Sequence, residues 1–157
     1  MNLLRPLTVA GRKRGRVRAP TGAEPLGPGR RVGRFAARTL DGIPITWASF
    51  ASPTLVGFFS AHCPASAERL PGFLALAGGM PGRQAQVLAV AVGTPEETAC
   101  LRNQLDDVAT VLVDVDHGHL VRAFGIRGYP TFAVVGADGM VVSSGYDASQ
   151  VALPVPP

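Results

Sequence analysis

The chain has 157 residues, 46% of them hydrophobic, a size and composition at which one compact domain can bury an adequate core without disulfide staples. Its net charge of +4 is unevenly placed, because residues 1 to 40 carry ten Lys+Arg against one acid while residues 41 to 157 carry five against ten. A basic segment with little hydrophobic periodicity argues against nucleic acid as a partner, two cysteines 37 residues apart exclude a secreted disulfide framework, and no stretch approaches the ~18 apolar residues that cross a bilayer.

Residues 1 to 30 form a basic leader whose Gly, Pro and Arg content cannot offset the entropy of ordering, so flexibility is expected. Its run Gly11 to Arg18 would suit the cytoplasmic flank of a membrane anchor, which makes this flank the place where a membrane contact is expected. The Met1 to Ala10 segment is too short and Pro-interrupted for a signal-peptide core, so the chain as written is expected to be soluble, with its compartment left open.

A domain over residues 31 to 150 follows, with ordered structure expected from about Phe35 and a frayed tail at 151 to 157. Phe35 to Leu40, the Asp41-Gly42 turn and Ile43 to Thr46 predict a hairpin. Thr54 to Phe59 is a continuous apolar run, the pattern of a strand covered on both faces. Pro64 to about Ala77 turns helical, with Ala67, Leu70, Phe73, Leu74 and Leu76 at core-compatible spacing and Pro71 inside it.

A second buried strand is predicted at Gln86 to Val92. Thr94-Pro95-Glu96-Glu97 then gives a capping Thr, a Pro in the first turn and a Glu three residues on, predicting a helix to about Leu105. Val108 to Val113 reads as a strand, Asp116 to Phe124 as a short helix, and Thr131 to Val135 and Met140 to Ser144 as strands joined by the Asp138-Gly139 turn. Alternating strands and helices require parallel pairing through right-handed crossovers, and a closing hairpin adds antiparallel edge strands. The fold class is therefore α/β, with a mixed central sheet flanked by helices.

Cys63 stands between the first buried strand and the first turn of the helix after it. Unpaired backbone N–H groups and the positive end of the helix dipole favour the thiolate there, and the thiolate is the nucleophile in both disulfide exchange and peroxide reduction. The bland alternative for such a residue is a small buried hydrophobe.

The run Val56-Gly57-Phe58-Phe59-Ser60-Ala61-His62-Cys63-Pro64-Ala65-Ser66, with Leu70-Pro71 after it, resembles the active-site segment of thioredoxin-like proteins of the TlpA and MauD (redoxin) type. Ala123 to Phe132, including Gly128-Tyr129-Pro130-Thr131, is similar to the approach to the cis-proline of those proteins, and Asp138-Gly139 to their terminal hairpin. The match spans about residues 31 to 146 and implies the thioredoxin fold, with Pro130 in cis beside Cys63. It also implies that Tyr129, Pro130 and Pro64 shape the edge that receives an extended substrate. Without the resemblance, Gly-Tyr-Pro-Thr would read as an ordinary turn.

The chain departs from that family at one position. Where the pattern has a second cysteine, three residues on, this sequence has Ser66, and a hydroxyl at neutral pH cannot resolve a mixed disulfide. Ser66 can still hydrogen-bond a Cys63 thiolate from one turn along the helix. Cys63 is thus left as a monothiol served by a low-molecular-weight thiol, as a peroxidatic cysteine, or as a relic on a binding module. Cys100 could serve as an internal resolver if its Cα came within about 7 Å of that of Cys63; otherwise it is a small residue packing near the face of its helix that carries Leu101 and Leu105.

The peroxidase reading uses Ser60, three residues before Cys63, where peroxiredoxins place Thr or Ser. Val56 stands where those enzymes place Pro, and Arg127 is the later arginine available as an activating cation. The alternative for Ser60 is a strand-end hydroxyl bonded to local backbone. His62 occupies a position that is Trp in many relatives, and an imidazolium there would stabilise a neighbouring thiolate, though an exposed, indifferent histidine fits equally well. His117 and His119 are two apart on a predicted helix and point away from each other, so no metal site is expected, and no cofactor fingerprint is present.

The leading expectation is a single-cysteine thiol-disulfide oxidoreductase acting on protein thiols or disulfides as a monomer. The alternatives are a non-catalytic binding or assembly module on the same fold, and third a peroxidase.

Overall fold

The computed structural model describes residues 26–153. The elements in chain order are β1 (Ala37–Arg38), β2 (Pro44–Ile45), β3 (Thr54–Ser60), α1 (Pro64–Gly78), β4 (Val87–Val92), α2 (Ala99–Leu105), β5 (Thr110–Asp114), α3 (His119–Phe124), β6 (Thr131–Val135) and β7 (Val141–Gly145). Short 3-10 turns lie at Trp47–Ser49, Arg83–Ala85 and Ala148–Gln150. Strands β1 and β2 pair as a small antiparallel ribbon, and the main sheet has the order β5-β4-β3-β6-β7. Strands β3, β4 and β5 run parallel, while β6 and β7 are antiparallel additions, which is the mixed sheet that the alternating pattern predicted and the thioredoxin fold that the resemblance implied.

Period-two alternation divides the apolar runs between two layers. From β3, Leu55 and Phe59 pack under α1 and α2 with Phe73, Leu101, Leu105 and Phe132, whereas Val56 and Phe58 pack on the other face with Leu120, Val121 and Phe124. Strand β4 splits in the same way, Val87, Ala89 and Ala91 to the first layer and Leu88, Val90 and Val92 to the second. Strands buried on both faces are what a helix-covered parallel sheet requires, and this centres β3 in the molecule. Edge-to-face contact between Phe59 and Phe73, with centroids 5.1 Å apart, fastens α1 to the strand that precedes it. Gly57 makes that approach close, since a Cβ there would lie 2.5 Å from Phe73 Cε1.

Several predicted boundaries move. Ordered packing begins earlier than Phe35: Leu26 is 2% exposed, and residues 29 to 32 run beside the start of β7, with Gly29 N–H donating to Val141 O and Val32 N–H to Gly139 O. The part of the predicted flexible leader from Leu26 onward is therefore docked, because Leu26, and Val32 just after the leader, have core to join. The Gly11 to Arg18 run, the flank on which a membrane contact was expected, and residues 154–157 lie outside the described residues. Among the described residues no helix is long and apolar enough to cross a membrane.

Helix α2 begins at Ala99 and not at Thr94. The predicted capping box is present, with Thr94 N–H donating to Glu97 Oε1 at 2.9 Å and Glu97 N–H to Thr94 Oγ1 at 3.1 Å, but it closes a turn that precedes the helix. Helix α3 begins at His119, because Asp114 Oδ2 accepts the amides of Leu120 and Val121 and holds the helix start, while His117 takes a left-handed φ of 59° in the turn before it. The two histidines are thus on different elements. Ala67, predicted to face the core, is exposed; the first turn of α1 buries Ser66 instead.

Candidate active site

Strand β3 ends at Ser60 in the middle of the sheet, where a tight turn carries the chain into α1: Ala61 N–H donates to Val92 O and Cys63 N–H to Ser60 O. Cys63 is the N-cap of α1 in an extended conformation, and Pro64 takes the first helical position, where its missing N–H costs nothing. The Cys63 side chain is half-buried and makes no capping bond. Its Sγ lies 3.4 Å from the carbonyl oxygen of Tyr129.

Tyr129 precedes Pro130, and the bond between them is cis. Pro130 is buried, Tyr129 is half-buried, and Thr131 Oγ1 donates back to Gly128 O, closing the loop that leads into β6. The Tyr129 hydroxyl donates to Asp116 Oδ1 at 3.1 Å. Burial first, and the Asp116 charge second, push the phenol well above its ordinary range. A second cis bond, Ser52–Pro53, lies just before β3, and no sequence motif marks it.

Ser66 is 1% exposed, and its Oγ accepts the Ser60 amide at 2.9 Å. The position that carries a second thiol in the pattern resembled here is thus a hydroxyl that ties the first turn of α1 to the end of β3. Ser60 Oγ in turn accepts the His62 amide at 3.1 Å, the local backbone role open to a strand-end hydroxyl. Val56 is buried inside β3, and Arg127 is exposed.

His62 is exposed, and its Nε2 lies 3.0 Å from Glu97 Oε2. The other oxygen of Glu97 is the one held by Thr94, so a single carboxylate caps the turn before α2 and meets the residue beside Cys63. The Thr94 amide, with His62 adding to it, holds the Glu97 carboxyl below its ordinary 4.5. Gly93 leaves room for this: with φ of 146°, it would place any Cβ 3.2 Å from both Ala61 Cβ and Glu97 Oε1. A groove of about 290 Å³ opens here, lined by His62, Cys63, Pro64, Glu97, Cys100 and Gln104 among others. A cavity of about 510 Å³ near Arg31, Trp47 and Asp138 lies at the Thr54 end of β3, away from the cysteine.

Cys100 is exposed, unlike its neighbours Leu101 and Leu105, so it does not pack as the small helix-face residue that its spacing suggested. Both cysteines are free thiols. Among the described residues no cluster of His, Cys, Asp and Glu could hold a metal ion.

A protein-family model described as the AhpC/TSA family matches residues 28–144, most of the chain. The chain belongs to the AhpC/TSA family. No curated protein matches it at a significant level. Solved structures do, among them a thiol:disulfide interchange protein of the thioredoxin family from Chlorobium tepidum, at 22% identity and a TM-score of 0.60, with 79% of this chain and 91% of that one covered. A thio-disulfide isomerase from Thermus thermophilus is similar at 22% identity and a TM-score of 0.60, covering 77% and 87%. A secreted Mycobacterium tuberculosis disulfide oxidoreductase is similar at 20% identity and a TM-score of 0.58, covering 76% and 87%. At these identities the likeness is one of fold, the thioredoxin fold that the sheet order already describes.

Two residues of the site escaped the sequence reading as site residues. Glu97 was legible only as a helix-capping acid, and nothing in the sequence tied it to His62, 35 positions earlier. Asp116 carried no signal, since its contact with Tyr129 depends on how the turn after β5 faces the loop before β6.

Proposed function

We propose that the protein carries out thiol-disulfide exchange on protein substrates, with Cys63 as nucleophile. The observation that carries this reading is the 3.4 Å approach of Cys63 Sγ to the Tyr129 carbonyl, next to the cis Tyr129–Pro130 bond. The thiol stands at the end of a rigid central strand, half-exposed and in line with a backbone edge that an extended polypeptide can follow. Tyr129, Pro130 and Pro64 form the walls of that approach. Several proteins of similar fold are described as disulfide oxidoreductases or interchange proteins, which supports the same chemistry here.

In the reaction, the Cys63 thiolate attacks one sulfur of a substrate disulfide, forms a mixed disulfide and expels the other sulfur as a thiolate that takes up a proton. Ser66 cannot carry out the next step: its oxygen cannot replace a sulfur nucleophile, and it is engaged with the Ser60 amide. Release of the substrate therefore needs a second thiol other than one at position 66. His62, held by Glu97, lines the same groove as Cys63.

The test uses the Cys100→Ser chain, in which Cys63 is the sole thiol, incubated with an excess of a peptide disulfide and analysed by mass spectrometry. A peptide adduct on Cys63, absent from Cys63→Ser, is the expected result. A chain that takes up no adduct would mark the fold as a binding platform, the second reading of the sequence.

A further inference from the structure

The two thiols of this chain face one groove. Cys63 opens α1, Cys100 sits in the first turn of α2, and both line the groove between those helix starts. The contact between His62 Nε2 and Glu97 Oε2 at 3.0 Å ties the residue before Cys63 to the turn that leads into Cys100. These two segments therefore already touch, although 37 residues separate the cysteines.

We propose that Cys100 is the resolving thiol of the Cys63 reaction, so that a mixed disulfide on Cys63 is released by closure of a Cys63–Cys100 disulfide across this groove. This rests on Cys63 being the nucleophile, as argued above. Three observations converge on Cys100. The position one helical turn from Cys63 is Ser66, buried with its oxygen committed to the Ser60 amide, so resolution must come from the open side. The open side of Cys63 is the groove, and the other thiol of the chain stands on its far wall. Cys100 is exposed on a helix whose neighbouring Leu101 and Leu105 are buried, so packing gives no reason for a thiol there.

A disulfide needs Cα atoms within about 7 Å of each other. Cys100 lies in the first turn of α2, a helix of seven residues, and any approach to Cys63 runs across the groove that both thiols line. That helix is anchored on its buried face by Leu101 and Leu105 and carries Cys100 on its exposed side, so the movement available is one of the exposed side, whereas α1 is pinned by the Phe59–Phe73–Phe132 cluster. Cys100 Sγ also accepts from Gln104 Nε2 at 3.6 Å, a contact that a small displacement breaks.

The chemistry balances as two exchanges. Cys63–S⁻ attacks the substrate R–S–S–R′ to give Cys63–S–S–R and R′–S⁻. Cys100–S⁻ then attacks the Cys63 sulfur, forming Cys63–S–S–Cys100 and expelling R–S⁻. The substrate disulfide gains two electrons and, with two protons, becomes two thiols, while the two protein thiols become one disulfide. An external dithiol, or two equivalents of a low-molecular-weight thiol, restores the reduced protein.

The experiment uses the reduced full chain with less than one equivalent of dithiobis(nitrobenzoate). The native protein should release both halves of each reagent molecule in turn, the second with a first-order rate independent of protein concentration, and end with complete loss of adduct and a cross-linked Cys63–Cys100 peptide pair. Cys100→Ser should stop after the first half and keep the adduct on Cys63. If the native chain labels Cys63 but holds the adduct as long as Cys100→Ser does, this inference fails and the nucleophile assignment stands. A second release that speeds up with protein concentration and yields disulfide-linked dimers overturns it too. If Cys63 in Cys100→Ser takes up no label while Cys100 in Cys63→Ser does, the assignment of Cys63 itself fails.

Discussion

The Sγ of Cys63 lies 3.4 Å from the backbone carbonyl oxygen of Tyr129, which joins residues 66 apart in the chain. One partner follows the central strand by three residues and caps α1; the other stands in the loop before β6, the antiparallel neighbour of that strand. The contact survives only while both loops keep their places. On the Tyr129 side, that depends on the hydroxyl bond to Asp116 and on the return of Thr131 Oγ1 to Gly128 O.

Removing the first of these supports is informative. Tyr129→Phe should lower stability by about 1 kcal/mol, the typical worth of one such hydrogen bond, as read from the urea midpoint. The folded protein favours the neutral phenol, so this group's contribution is complete below the ordinary tyrosine range and declines as the pH rises through the raised folded value. In an alkaline absorbance titration Tyr129 should ionise late, and Asp116→Asn should bring that ionisation to lower pH. An unchanged titration in Asp116→Asn would show that the aspartate charge does not reach the phenol.

Ser66 offers two substitutions with opposite purposes. Ser66→Ala leaves the Ser60 amide without its acceptor and should cost about 1 to 2 kcal/mol in chemical denaturation. Ser66→Cys places a thiol one turn from Cys63 and should create insulin-reducing turnover faster than that of the native chain. A folded Ser66→Cys protein that reduces no insulin would mean that Cys63 is not competent for exchange.

Glu97 gives a pH signature on the acid side. Its folded carboxyl titrates below the ordinary 4.5, chiefly because it accepts the Thr94 amide, so the stability it contributes is present above that value and is lost as the pH falls through the folded one. Glu97→Gln should therefore flatten the acid limb of the stability profile measured by denaturant midpoints. Native and variant profiles that run parallel through this window would show that the capping carboxylate contributes nothing to it.

Gly57 tests the seat of α1. A methyl group there would lie 2.5 Å from Phe73 Cε1 and 2.9 Å from Phe59 Cε2, so Gly57→Ala must displace rings at the centre of one core layer. The expected loss is about 1 to 3 kcal/mol, the usual range for overpacking, seen as a lower urea midpoint. A neutral substitution would mean that α1 can slide without cost.

Much of the fold was legible because burial writes its period into the sequence. The runs Leu55 to Phe59 and Val87 to Val92 are apolar at every position, and such strands need helices on both faces. The errors cluster at helix starts. The Thr94–Glu97 box formed as its residues predicted, yet it caps a turn, because where a helix propagates depends on which following residues find core, here Leu101 and Leu105. At Asp116 the predicted helix lost its first turn to Asp114, a strand-end carboxylate whose capping reach depends on the path of the loop after β5.

The sequence by itself determined the order of elements, the division of β3 and β4 between two core layers, and the place of Cys63 between strand and helix, because each depends on neighbours within a few residues. Tertiary structure alone decided that the Tyr129 carbonyl meets the cysteine, that Glu97 meets His62, that Ser66 faces the Ser60 amide, and that Cys100 faces the same groove as Cys63. Periodicity fixes which side of an element a residue takes. Which element ends come together is fixed by strand order and crossover, and those arise only when the whole core closes.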